Sequence, residues 1–187
     1  MSHSIFAMEL CARLDAQFML HHHLQQALPV QSELLTPGQK WHQYHRLTQL
    51  LTYNLHAVER GCWDYFEDEE RAQNDFEMWK TGMTTREGAR PGPLPHSMQE
   101  PRFLTFTMAF LLVKDSPSDL TLRSICNVPE ANLWRRDVFA YILSSFGSIS
   151  FASVYADVAY LIPRDIDWAL TLEDLRAPKF HYLRPLV

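Results

Sequence analysis

Glycine is scarce in this chain, and that scarcity removes whole classes of chemistry. Six glycines spread over 187 residues form neither Gly-x-Gly-x-x-Gly nor a Walker loop, so no backbone cradle for nucleotide phosphates is expected. Cysteine is scarcer still. Cys11, Cys62 and Cys126 make no CxxC pair, whereas zinc sites need closely spaced ligand pairs, so three small apolar thiols in a reducing compartment are expected. Positive charge is in deficit too: 17 Lys and Arg stand against 22 Asp and Glu, a formal charge of −5. The clustered basic surface that tracks nucleic-acid phosphates is therefore missing. The longest continuous apolar run, Met108 to Val113, falls far short of the ~20 residues of a membrane-spanning helix. The first basic residue is Arg13, and Glu9 interrupts the apolar stretch before it, so no export leader is expected and the chain reads as cytoplasmic.

What is present suits a folded core. Hydrophobic residues make up 47% of the chain, and a chain of this length buries about 70% of its unfolded surface without help from disulfides or metal. From Ser4 to Leu28 the residues Ala7, Leu10, Cys11, Leu14, Phe18, Leu24 and Leu28 recur at three- and four-residue steps, which predicts one amphipathic helix ended by Pro29. Thr36-Pro37 announces a second helix, a capping hydroxyl followed by proline at the first helical position. Its stripe of Trp41, Tyr44, Leu47, Leu51, Leu55 and Val58 carries it to Gly61. The acidic run Glu67 to Glu70 precedes Phe76 and Trp79, and acids in a first turn oppose the helix dipole, so a third helix is expected there.

Between residues 83 and 102 the composition turns to proline and glycine, which predicts a connector. Phe103 to Val113 reads as a buried strand, the stretch from Pro129 to Gly147 as a helix, and Phe151 to Ile162 as a second long strand; two strands make a poor sheet, so either Leu120 to Ile125 supplies a third strand or a partner subunit covers the exposed edge. Strand, helix and strand in that order predict a parallel crossover. Thr171 and Asp174 read as a capping box for one short final helix. The expected fold is α+β: a helical region over 1–82, a connector over 83–102, and a small β-α-β unit over 103–187.

Candidate chemistry is sparse. His42 and His45 share a flank of the second helix, and His21 on the neighbouring helix could supply a third imidazole to a metal ion. The familiar helical metal signatures, Glu-x-x-His or histidines four apart around a glutamate, are absent. Gly147-Ser148 lacks the second glycine of a nucleophile elbow. Asp157 falls on a face of its strand expected to be half solvated, and Asp165 and Asp167 sit in the loop that follows. Trp79, Phe103 and Phe106 are candidates for an aromatic contact surface, and Trp79 with Phe103 for the lining of a small-molecule pocket.

Several of these segments together resemble a known family. Phe103-Leu-Thr-Phe-Thr-Met-Ala-Phe-Leu-Leu-Val113, the helix end Phe146-Gly-Ser-Ile149, Ala156-Asp-Val-Ala-Tyr-Leu-Ile-Pro163, Leu170-Thr-Leu-Glu-Asp-Leu175 and Leu183-Arg-Pro-Leu186 are similar to the family called domain of unknown function 1517, and 47–90 is loosely similar as well. The chain carries Asp157 at that family's acidic position and lacks the membrane segment and Gly-rich stretch of its photosynthetic members. The resemblance implies a division near Pro101, with 103–187 as one folded unit, and implies no reaction.

With no catalytic constellation and a sheet too small to close, the sequence predicts a non-enzymatic, cofactor-free protein that binds a protein partner or itself as a homo-oligomer. A metal-binding protein or metal-dependent enzyme using His42, His45 and His21 is the alternative.

Overall fold

The computed structural model describes residues 2–14, 19–28, 34–82, 100–164 and 169–187. Five strands form one antiparallel sheet in the order β4-β3-β1-β2-β5. They are β1 (His3–Arg13), β2 (Val58–Phe66), β3 (Phe103–Val113), β4 (Val154–Ile162) and β5 (Arg184–Pro185). Five helices accompany them: α1 (Met19–Ala27), α2 (Pro37–Tyr53), α3 (Glu69–Gly82), α4 (Pro117–Ile125) and α5 (Arg136–Ser145). The mixed α+β class expected from the sequence is the one observed. No helix among the described residues is long and apolar enough to cross a membrane.

The arrangement differs from the expected one at three places, and each has a physical cause. Residues 3–13 are a strand, not the first half of a helix. β1 lies in the middle of the sheet, with every residue from His3 to Ala12 buried. A strand buried on both faces is apolar throughout, and a continuous run contains the helical spacing as a subset. Next, Leu120 to Ile125 belongs to α4. Ser116 caps it by accepting the amide of Asp119, with Pro117 in the first turn, the same signature that correctly placed the start of α2 at Thr36 and Pro37.

That extra helix reverses the third expectation. β3 and β4 are neighbours, but antiparallel, because two helices rather than one separate them and the second pass brings the chain back. The same parity governs β1 and β2, joined through α1 and α2 and antiparallel. A single helix, α3, joins β2 to β3, and these two strands, each antiparallel to β1, run parallel to one another on either side of it. The regions 1–82 and 103–187 thus contribute interleaved strands to one sheet rather than forming a helical layer and a separate β-α-β unit. Apart from residues 100–102, the connector lies outside the described residues, as do Asp165, Asp167 and Trp168.

α2 also ends earlier than its apolar stripe suggests. Asn54 takes the C-cap, and Val58 opens β2 instead of continuing the helix. Gly61, expected to terminate that helix, sits inside β2, where a Cβ would come within 2.8 Å of the Phe139 ring and 3.1 Å of Leu10. The missing side chain lets α5 lie close against the sheet.

The two faces of the sheet are covered differently. Phe6, Met8 and Leu10 of β1 and Leu104, Phe106, Met108 and Phe110 of β3 pack with residues of α1, α2, α4 and α5 in the main core. The opposite face is covered in two pieces. α3 lays Ala72 and Phe76 over Ile5, Ala7, Ala109 and Val158 at one end. Leu170, Leu175, Phe180 and Leu183 from the C-terminal turns cover Cys11 and Phe103 at the other. Between the two covers runs a seam.

Candidate functional site

The histidines singled out in the sequence do not converge. His21 is buried and its Nε2–H donates to the carbonyl of Pro163 at 2.9 Å. His45 stacks on Trp41 with ring centroids 4.9 Å apart and lies 3.0 Å from the Gln49 amide. His42 is exposed and meets the Trp41 ring edge-on. No group of three or more His, Cys, Asp or Glu among the described residues is placed to hold a metal ion.

The aromatic trio is separated as well. Phe106 is in the main core, and Phe103 is in the cluster on the other face of the sheet. Both are fully buried, so neither supplies a contact surface. Strand alternation puts them on opposite faces, being three residues apart. Asp157 is not half solvated either: its carboxylate is 1% exposed, paired with Lys40 and accepting the Tyr44 hydroxyl at 2.9 Å.

Trp79 alone of the predicted residues leads to a site. It lines a cavity of about 710 Å³ lying along the seam between α3 and the C-terminal turns. The register of the sheet explains its floor. Glu9 pairs with Cys62 on one side and Thr107 on the other, and Thr107 pairs with Tyr160, so Cys62, Glu9, Thr107 and Tyr160 form one transverse row across four strands. The rows on either side are apolar around Ala7 and Ala109, or closed by the C-terminal cluster around Cys11. Glu9 therefore lies at the junction of the two covers, under the Tyr182 hydroxyl. α3 adds Trp79, Met78 and, through β2, Phe66 to the walls, while Phe180, Lys179 and Tyr182 come from the C-terminal turns. Apolar walls around a few polar groups are the usual make-up of a ligand site, and 300–1,000 Å³ is roughly the usual size.

Glu9 is 2% exposed. Tyr182 donates its hydroxyl to Oε2 at 2.6 Å, whereas no well-formed hydrogen bond reaches Oε1, although the buried Thr107 and Thr105 hydroxyls lie close enough to favour the carboxylate. Burial pushes the Glu9 carboxyl up to about 7, against the opposing pull of the Tyr182 hydroxyl, the nearby Thr107 and Thr105 hydroxyls and the Lys179 charge. Burial acts the opposite way on Lys179, whose ammonium is brought below its ordinary range although Glu9 and Asp174 favour its charge. The Cys62 thiol is held well above its ordinary range, by burial first and by Glu9 second. Burial likewise raises Asp64 at the rim. The row thus holds one acid poised near neutrality, in apolar surroundings, with an oxygen to spare.

Sequence reasoning missed Glu9 as a site residue. The signal was there: it is the one charged side chain between His3 and Arg13 in an otherwise apolar segment, and a carboxylate is almost never fully buried without a reason. Read on a helix it marks a polar face, and only on a doubly buried strand does it become an acid enclosed by the fold.

No protein-family model matches the chain, and no curated protein or solved structure matches it.

Proposed function

We propose that this protein binds a small molecule in the cavity above Glu9 and does not transform it. The observation that carries the reading is the unpartnered Oε1 of a carboxyl 2% exposed at the floor of a cavity with aromatic walls. Buried polar atoms are hydrogen-bonded in folded proteins, and an exception beside a cavity is open to a partner from outside the chain. Binding is favoured over catalysis because a reaction needs an activated nucleophile or an acid and base in mutual reach. Here the Cys62 thiol is kept protonated by burial, and the Tyr182 hydroxyl already serves Glu9. The likeness of 103–187 to domain of unknown function 1517 remains part of this proposal and adds no reaction to it.

Thermal unfolding in the presence of a chemically diverse set of small compounds tests the reading. A compound at about a hundred times its Kd stabilises by roughly 2.7 kcal/mol, which for a chain of this size raises Tm by roughly 5–10 °C. Its effect is expected to shrink in Trp79→Ala. If no compound of any class raises Tm, or if the hits are indifferent to Trp79→Ala, the proposal fails.

One further observation favours self-association as a second reading. Among the described residues no strand pairs with the outer edge of β4, and an open edge is a template for a second copy. Light scattering across a hundredfold concentration range is expected to show a dimer, and a constant monomer mass would dismiss this reading.

A further inference from the structure

We infer that the ligand of this cavity is a small organic ammonium, with its charged head at Glu9 Oε1 and its apolar body against Trp79 and Phe66. The inference rests on the ligand-binding reading above and gives it a chemical class. Three independent features support it.

The first is the vacancy itself. Oε1 receives no well-formed hydrogen bond, the Thr107 and Thr105 hydroxyls lying near the carboxyl without closing one, and Oε2 already receives the Tyr182 hydroxyl, so a group that brings N–H bonds completes the floor. A charged donor makes a bond to carboxylate roughly twice as strong as a neutral one. The second is the wall. Tryptophan and phenylalanine faces attract cations within about 6 Å of the ring, and the chain already uses one of them in this way: the Arg71 guanidinium lies 3.6 Å from the centroid of Phe66. The third is the charge balance. Glu9, Asp64 and Asp75 line the cavity against Arg71 and Lys179, and Arg71 is bound to Asp75 at 3.3 Å. An anionic ligand would be met by Glu9 and Asp64, whereas a cation meets Arg71, whose charge is already paired with Asp75, and Lys179, whose own charge is disfavoured by burial.

The surroundings of Glu9 also fix how binding depends on pH. Facing the carboxyl are Tyr182 and Lys179 from the C-terminal turns, Cys62 from β2, Thr105 and Thr107 from β3, and Tyr160 from β4. The carboxyl itself is pushed up to about 7, while burial brings the Lys179 ammonium below its ordinary range. An ammonium head needs the carboxylate, so at pH 6 its arrival displaces close to one proton, and affinity rises roughly tenfold from pH 6 to pH 8.

The test is calorimetry with phenethylammonium and tryptammonium, each against the isosteric neutral phenethyl alcohol and the anion 3-phenylpropionate, on the parent protein and on Glu9→Gln. The expected result is at least tenfold tighter binding of the ammonium compounds than of the alcohol, no binding of the carboxylate, and uptake of the displaced proton by buffer at pH 6. Glu9→Gln should erase the advantage over the alcohol while leaving alcohol binding in place. If Glu9→Gln fails to fold, the pH profile of the parent decides. A flat profile, or an alcohol or carboxylate that binds as tightly as the ammonium, overturns the inference but leaves the ligand-binding reading standing. So does a binder of another class where both ammonium probes are inert. Failure of every compound of every class overturns both.

Discussion

Replacing Glu9 by Gln will stabilise the protein at pH 8 by roughly 3 kcal/mol and at pH 5 by about 1 kcal/mol or less. The carboxyl titrates at about 7 in the folded chain against an ordinary 4.5. Between those two values the folded state holds a proton that the unfolded state has released. Stability consequently falls as pH rises through that window and levels off above it. Glutamine removes the ionisation and keeps the shape. Its carbonyl can still accept from Tyr182, and its amide brings donors to the side where the Thr105 and Thr107 hydroxyls lie. Urea melts of both proteins at pH 5 and pH 8 measure the difference. A Gln variant less stable than its parent at pH 8 would mean that Glu9 is held as a paired carboxylate, contrary to the description above. The gain on removal is itself informative, because a site that weakens the fold is retained for its use rather than for stability.

The opposite outcome is expected at Asp119. This carboxylate is fully buried and is a hub of four elements. It accepts the Ser4 hydroxyl from β1, the Tyr65 hydroxyl from β2 at 2.6 Å, the Asp115 amide at 2.7 Å and the Arg123 guanidinium of its own helix at 3.2 Å. Asp115 has a φ of 60°, a left-handed conformation that the Asp119 carboxylate fixes by taking its N–H. Asp119→Ala takes this acceptor from the buried Ser4 hydroxyl and the half-buried Tyr65 hydroxyl, while Arg123 keeps Glu67 and Asp115, with an expected loss of about 2–4 kcal/mol. Asp119→Asn keeps part of the hub and should lose less. Chemical denaturation of the two variants reads this directly, and a loss under about 1 kcal/mol for alanine would show that water takes over the hub.

The sequence was legible wherever a local chemical device sets the structure. Thr36 and Gln39 form the reciprocal cap that starts α2, and the Asp68 carboxylate accepts the Arg71 amide at the head of α3; Thr171 and Asp174 make the reciprocal bonds of a capping box, but only a three-residue 3-10 turn, Asp174–Arg176, follows in place of the expected short helix. β3 and β4 were legible for a different reason, being long, β-favouring and bounded by turns. Illegible were the features decided by position in the sheet. Whether 3–13 is helix or strand depends on what lies on both sides of it, and those neighbours, Thr107 and Cys62 opposite Glu9, come about a hundred and about fifty residues later. The candidate site inherits that difficulty. Trp79 could be named as a pocket residue from its type, but Glu9, Tyr160 and Tyr182 meet only because three strands and the C-terminal turns align in one register. His21, His42 and His45 are close in sequence terms, yet His21 faces Pro163 and His45 is occupied by Trp41 and Gln49.

The central position of β1 has a consequence during synthesis. Its apolar side chains face both ways, and the partner on one flank, β3, leaves the ribosome about a hundred residues after it. At 5–20 residues per second that is roughly 5–20 s. Throughout this interval a mostly apolar segment with unsatisfied amides on at least one edge is available to any other nascent chain, which is close to the profile of an aggregation nucleus. Glu9 is the single interruption in that segment. In the unfolded chain it is ionised, and a lone charge at the middle of such a run acts as a gatekeeper against misassembly. The same carboxylate that burdens the finished fold therefore protects the chain on the way to it.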